Sequence, residues 1–529
     1  MNKSAGTSDS NFLRRIALGD TLYRTARRLG NKLATVDQGV ETSYAQLDAD
    51  SSRFAHYLLS RGLGSGDKVA MICANSTQFL VAAYGILKAG MVWLPVNTML
   101  STNDTRYILE HAEAKLIVMD DLFYANPATR DLCDSLGLPI VLSEVGPRQQ
   151  QPHITLSAAL EGMPATLPAV NIDDQDLALI MYTSGTTGRQ KGVMHTHSSV
   201  YSALMSNVAE LAYDFTDTTT CILPLFHCGQ FALSGASVIA GAAQVIHRGF
   251  DPLAVLDSIE QRKVTTVLCL PLMYAAIVNH PQRATHDLSS LRICTYAMAP
   301  MPLVLLERLT KEICPKFGLN SGQTEIFPAT TYFRPEEQFK RFGCYWGNPT
   351  LVNEVAIMDD DGSLLENGKV GEIVHRGPNV MLGYYKDPEA TAESRRFGWH
   401  HTGDLGLLDQ DGQVLFIDRK KDMIKTGGEN VPSIKVEEVI LRHPSVANVA
   451  VVGLPHPHWS EAVAAFVILK PGAACDQAAL AEHSRQHLAG FEVPKHIHFV
   501  DAFSMTPTGK IQKNVLRREY EGLFASAAP

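Results

Sequence analysis

The chain has 529 residues, more than one ordinary hydrophobic core accommodates, so two or more domains are expected. Its 45% hydrophobic and 19% charged content is that of a globular chain, and a net charge of −9 removes the electrostatic case for nucleic acid or an anionic membrane surface as a partner. Nine scattered cysteines make no Cys-x-x-Cys pair, and no apolar run is long enough for a signal peptide or a transmembrane segment, so reduced thiols and a cytoplasmic location are expected.

In chain order, KVAMIC (68–73) reads as a strand, followed by a helix over 75–90 with Asn75 or Ser76 as N-cap and Gly90 as its stop. AKLIVMD (114–120) and LALIMY (177–182) are further strands, and 197–212 is compatible with a helix. The run 231–246 reads as buried helix and strand, and VTTVLCL (264–270) and LRICTYA (291–297) as strands. This alternation predicts an α/β fold whose large N-terminal domain layers mainly parallel sheets with helices. From about position 350, short strands broken by Asp-Gly and Asn-Gly turns predict hairpins, a small β-barrel-like part. A new pattern after Arg419 predicts a small, mobile α+β C-terminal domain, giving domains 1–419 and 420–529.

One segment stands out: MYTSGTTGRQKGVMHTH, Met181 to His197. Gly185 and Gly188 let backbone N–H groups turn inward, Thr183, Ser184, Thr186 and Thr187 add hydroxyl donors, and Lys191 adds a positive charge. Placed between a strand and a helix, such a loop suits a polyphosphate, although the Walker A spacing is not satisfied. A flexible surface turn has the same composition.

The order of the residues is more specific. YTSGTTGRQKGVMHTH resembles the phosphate loop of the adenylate-forming superfamily, which includes acyl-CoA synthetases, aryl-CoA ligases, luciferases and peptide-synthetase adenylation domains. Five further segments resemble that superfamily's motifs in the same order: YAMAPMP (296–302), NSGQTE (320–325), WHHTGDLG (399–406), DRKKDMIKTGGENV (418–431) and PTGKIQK (507–513).

The resemblance implies a two-step reaction. A carboxylate attacks the α-phosphate of ATP to give an acyl-adenylate and pyrophosphate, and a thiol, most often coenzyme A, then releases AMP. It also implies roles for individual residues. Thr183–Lys191 would hold the β- and γ-phosphates, with Lys191 and Thr183 catalytic, and Glu325 would hold Mg²⁺. Ala297, Met298, Ala299, Pro300, Ser321, Gly322, Gln323 and Thr324 would line the nucleotide. Asp404 and Arg419 would hold the ribose, and Gly427 and Gly428 the pantetheine arm of CoA. Lys510 would bridge the attacking carboxylate and the α-phosphate, and Lys421 would be the hinge on which the small domain swings after adenylation.

Three positions depart from the superfamily's pattern. Ser321 stands where an aromatic residue usually stacks on adenine, a place that Tyr296 could take. Met298 replaces a smaller residue, and His400 an aromatic or Leu. The expected acyl pocket includes His227, Gly229, Tyr274 and Tyr296, with no Arg or Lys to balance a second carboxylate and no acid near His227 to pair with an amine. A medium- or long-chain fatty acid is the expected substrate, with an aryl or cinnamate-type acid as the alternative. Loading of a carrier-protein phosphopantetheine is a further alternative, and a homodimer is the expected association.

Overall fold

The computed structural model describes residues 12, 14–146, 152–183, 190–341, 343–505 and 511–525. These form two compact units, one from residues up to 183 with 190–355 and 375–400, the other from 356–374 and 401 onward. The chain is α/β, with a large N-terminal part of mixed sheets and a smaller C-terminal part.

The first unit contains two sheets. One has eight strands, in spatial order 383–384, 191–196, 177–183, 92–95, 68–72, 114–120, 140–143 and 154–155. From 177–183 onward its neighbours are parallel, and the two strands at the other edge are antiparallel. Within this unit the second sheet runs 345–349, 326–333, 317–323, 293–296, 266–269, 218–221, 243–246, 33–37 and 40–43. It too is parallel in the middle and antiparallel at both margins.

The parallel centres follow from apolar runs that bury both strand faces. Trp93 is wholly buried, its ring 4.4 Å from that of Phe231 and edge-on to Phe79. The helix expected over 75–90 spans Thr77–Lys88. The Ser76 hydroxyl oxygen accepts the Phe79 N–H, and Gly90 takes a φ of +70° just past the end.

Several elements position the site. Strand β1 (Leu177–Thr183) pairs antiparallel with β2 (Lys191–Thr196), and helix α1 (His197–Glu210) follows, its N-cap Thr196 accepting from the Ser199 N–H. Helix α2 is Cys228–Ala240. Strand β3 (Phe317–Gln323) pairs antiparallel with β4 (Ile326–Phe333), and the short β5 (Gly383–Tyr384) lies against β2. The glycine-hydroxyl segment therefore sits between two strands, not between a strand and a helix. The alternation in Lys191–Thr196 continues the ladder for six residues before the helix begins.

In the second unit, β6 (His400–Leu408) and β7 (Val414–Arg419) form the expected hairpin around Gly412. Strands β8 (Ile424–Thr426) and β9 (Glu429–Val431) are joined by Gly427 and Gly428, whose φ values of +60° and +89° suit a two-residue turn with both centres left-handed. Strands 446–456, 460–469 and 496–499 complete this five-stranded sheet, and helices 433–441, 477–485 and 513–519 accompany it. Residues 356–374 and 401–419, ahead of the expected domain boundary at 419/420, are grouped with this second unit.

Candidate active site

Of the residues expected at the phosphates, Thr183 and Lys191 are described. They face each other across the β1–β2 ladder, both half-buried. Ser184, Gly185, Thr186, Thr187 and Gly188 lie outside the described residues, as does Lys510.

Glu325 occupies the tight turn between β3 and β4, where Gln323 pairs with Ile326. Gly322 is required just before it, because a Cβ there would stand 2.7 Å from Pro328 Cβ. Two neighbours hold the Thr324–Glu325 peptide segment. His195 Nε2 donates to the Thr324 carbonyl at 2.7 Å, and the Met381 N–H donates to the Glu325 carbonyl at 2.8 Å. A carbonyl can only accept, so His195 carries its proton on Nε2. Burial pushes its pKa down to about 4, which keeps the ring neutral. The Cys228 Sγ, at the start of α2, lies 3.5 Å from the Thr324 hydroxyl.

Residues 379–385 strap the two site hairpins together. Asn379 exchanges hydrogen bonds with the Phe327 backbone, Leu382 N–H donates to Met194, and Tyr385 N–H donates to Gly192. Tyr384 Oη donates to Glu325 Oε1 at 3.0 Å, while Lys191 Nζ lies 4.8 Å from the centre of the same ring. His195 lies within the phosphate-loop segment without a role assigned to it there, and the strap lies in no segment singled out in the sequence. Tertiary contact alone identifies them, with Tyr384 lying 59 positions beyond Glu325.

The pair expected at the ribose is assembled by register. Asp404 and Arg419 are direct cross-strand partners in the β6–β7 hairpin, and Arg419 Nε lies 3.2 Å from Asp404 Oδ1. Asp404 is only 3% exposed and its N–H donates to Thr402 Oγ1. Lys421 follows in a turn where the Asp422 and Met423 N–H groups donate to the Arg419 carbonyl, and burial lowers its pKa. The segment expected at the nucleotide contains a feature absent from the sequence reading. Met298, 43% exposed, holds a φ of +68°, a conformation that costs a side chain of its bulk on the order of 1–2 kcal/mol.

The expected acyl pocket divides. His227 is half-buried and caps α2, with Nδ1 accepting from the Gly229 N–H at 3.2 Å. A Cβ on Gly229 would meet nothing closer than that ring, at 3.5 Å, so the space beside it is open. Tyr274 and Tyr296 are core residues instead. Tyr274 is 1% exposed and its hydroxyl donates to the Val267 and Thr295 carbonyls. Tyr296 is 4% exposed and donates to Gln338 Oε1. Parallel strands bury both faces, so a tyrosine at the end of one is drawn into the packing with its hydroxyl paired. The ring of Tyr296 is thereby committed to the core and does not stand in for the aromatic residue missing at Ser321.

The AMP-binding enzyme family matches residues 22–385, and the AMP-binding enzyme C-terminal domain matches residues 435–510. A feruloyl-CoA synthase from Amycolatopsis sp is 34% identical over 510 residues, covering 96% of this chain and 100% of its own. The long-chain-fatty-acid–CoA ligase FadD13 of Mycobacterium tuberculosis is 33% identical, covering 91% and 93%. The ATP-bound structure of MatB from Rhodopseudomonas palustris superposes with a TM-score of 0.87 at 30% identity, covering 97% of this chain and all of its own.

Proposed function

This chain belongs to the AMP-binding enzyme family, and from that membership we propose that it joins a medium- or long-chain fatty acid to coenzyme A through an acyl-adenylate. The reaction class is that of an AMP-forming acyl-CoA synthetase, with ATP and CoA as co-substrates. No helix among the described residues is long and apolar enough to cross a membrane.

One observation carries the choice of acid. The tyrosine hydroxyls that could have recognised a substituted ring, Tyr274 and Tyr296, are spent on protein acceptors, and the open space lies beside Gly229. An unfilled position, with both of those hydroxyls paired to protein rather than open to a ring substituent, suits a polymethylene chain, each buried CH₂ contributing about 0.8 kcal/mol. An aryl or cinnamate-type acid is the second reading, favoured by the likeness to a feruloyl-CoA synthase.

In this reading Thr183 and Lys191, with the loop between them, grip the triphosphate tail, Asp404 accepts from the ribose hydroxyls, and Arg419 orients Asp404. Glu325 fits Mg²⁺: the residue is half-buried with one carboxylate oxygen held by Tyr384, and a hard cation that prefers phosphate and water ligands needs only one such group from the protein. When bound there, the metal supplies charge neutralisation to the phosphate oxygens. Lys510 offsets the charge that builds between the attacking carboxylate and the α-phosphate. Lys421 is the hinge we assign, and free CoA, rather than a carrier protein, is the acceptor.

A CoA-consumption screen over fatty, benzoic and cinnamic acids tests the substrate. We expect the highest kcat/KM on a chain of medium or long length, with benzoic and cinnamic acids well below it. Faster turnover of acetate, or a clear preference for cinnamic acids, overturns the choice.

A further inference from the structure

The Lys191–Tyr384–Glu325 constellation carries a consequence for how the site keeps its charges usable. Lys191 closes the β1–β2 hairpin and Glu325 the β3–β4 hairpin, so a cation and an anion of opposite duty project toward one ring. Tyr384 is fixed by its own neighbours. It pairs with Val193 in the β5–β2 ladder, its N–H donates to Thr391 Oγ1, and its carbonyl accepts from the Asp387 N–H. Lys191 Nζ stands over the Tyr384 ring and Glu325 Oε1 accepts from its hydroxyl, and among the described residues no ion pair of either is found. A lysine and a carboxylate that share one ring as neighbour attract each other, and an ion pair between them would withdraw both from the nucleotide.

We infer that Tyr384 is a positioning residue that holds the Glu325 carboxylate by its hydroxyl and the Lys191 ammonium by its ring face, keeping the two from neutralising each other. The inference rests on the assignment of Lys191 to phosphate and Glu325 to the metal. The hydroxyl fixes one carboxylate oxygen and leaves the other for Mg²⁺. The ring supports the ammonium without supplying a competing anion.

Isothermal titration of the full chain with ATP, with and without Mg²⁺, separates these effects. Tyr384→Phe keeps the ring and should leave metal-free ATP affinity unchanged while cutting the Mg²⁺-dependent gain about 10-fold, the worth of one hydrogen bond to a charged group. Tyr384→Leu should also weaken metal-free ATP binding, because Lys191 is then captured by Glu325. Adding Glu325→Gln to Tyr384→Leu removes the captor and should restore metal-free affinity. A wild-type Mg²⁺ gain in Tyr384→Phe, or no recovery in the double variant, overturns the inference. If Glu325→Gln alone keeps the full Mg²⁺ gain, the metal assignment falls instead, and the double variant still decides whether Tyr384 is the spacer.

Discussion

Trp93 faces Leu179 across parallel strands in the middle of the eight-stranded sheet, both wholly buried, while Thr183 faces Lys191 across the antiparallel ladder at its margin, both reaching solvent. A weaker contrast recurs in the second sheet, where Cys294 and Phe317 are buried in the centre and Ser321, half-buried, pairs with the buried Thr331 toward the edge. The centres need apolar volume and little else. The margins carry polar and charged groups whose directions are set by ladder register and by the strap at 379–385. Packing and the groups expected at the site are thus divided between the two ends of the same strands: β1 runs from buried Leu179 to Thr183, and β3 from buried Phe317 to Ser321.

Replacing Trp93 with Ala is the severest test of that division. The cavity should cost about 3–5 kcal/mol in urea unfolding, while KM for ATP in the folded population stays at the wild-type value. A stability loss below about 1 kcal/mol, or a tenfold rise in KM, would show that centre and margin are not separable.

His195 tests the seam between the two, since it lies on a marginal strand yet is wholly buried against Phe327. Its folded pKa of about 4 lies below the ordinary 6.5 because burial disfavours the charged ring. Above pH 6.5 both folded and unfolded forms are neutral and the full stability is present. As pH falls from 6.5 to 4 the unfolded chain takes up a proton that the folded one refuses, and stability drops by about 3 kcal/mol. His197 and His375, also held neutral by burial, add the same sign. Asp120, at the end of a central strand with its pKa raised to about 6 by burial, has the opposite sign between 3.8 and 6. Denaturant titrations of wild type and His195→Gln at pH 7 and pH 4 isolate the His195 share. Gln keeps an N–H for Thr324, and the difference between the two proteins should shrink by most of that amount at pH 4. A difference that does not change with pH would mean His195 is not held neutral.

The same division explains what could be read without coordinates. The parallel centres were legible because strands buried on both faces are unbroken apolar runs, such as KVAMI and ICTY. The cap, read as Asn75 or Ser76, was legible because local backbone geometry dictates the residue, whereas the left-handed turn at Gly427-Gly428 was not read from the sequence. At the site, the resemblance pointed to Glu325, Asp404 and Arg419, and the structure puts the last two opposite each other. Strand β2 was not legible, because Lys, Gly, His and Thr in six residues suggest a loop until a partner strand is known. Nor were Tyr384 and the part played by His195, which depend on contacts between distant segments. The burial of Tyr274 and Tyr296 was not legible for the converse reason: a tyrosine looks the same in sequence whether its hydroxyl meets a ligand or a buried protein acceptor.

The smallest expected effect lies at Ser321, on the margin. Ser321 is half-buried, and its backbone is held by Thr331 across the ladder and by Thr330 Oγ1, which donates to its carbonyl at 3.2 Å. The side chain therefore has no part in fixing the strand, and β-propensity favours an aromatic residue there. Ser321→Tyr should leave the unfolding midpoint within about 0.5 kcal/mol of wild type. A ring stacked on adenine contributes about 0.5–1.5 kcal/mol beyond its contact area, so ATP and AMP should each bind roughly 2- to 10-fold tighter. Inorganic pyrophosphate, which lacks the base, should bind as before. Equal tightening of all three ligands would place the effect on the phosphates rather than the base, and an unchanged AMP affinity would mean that position 321 does not face the adenine.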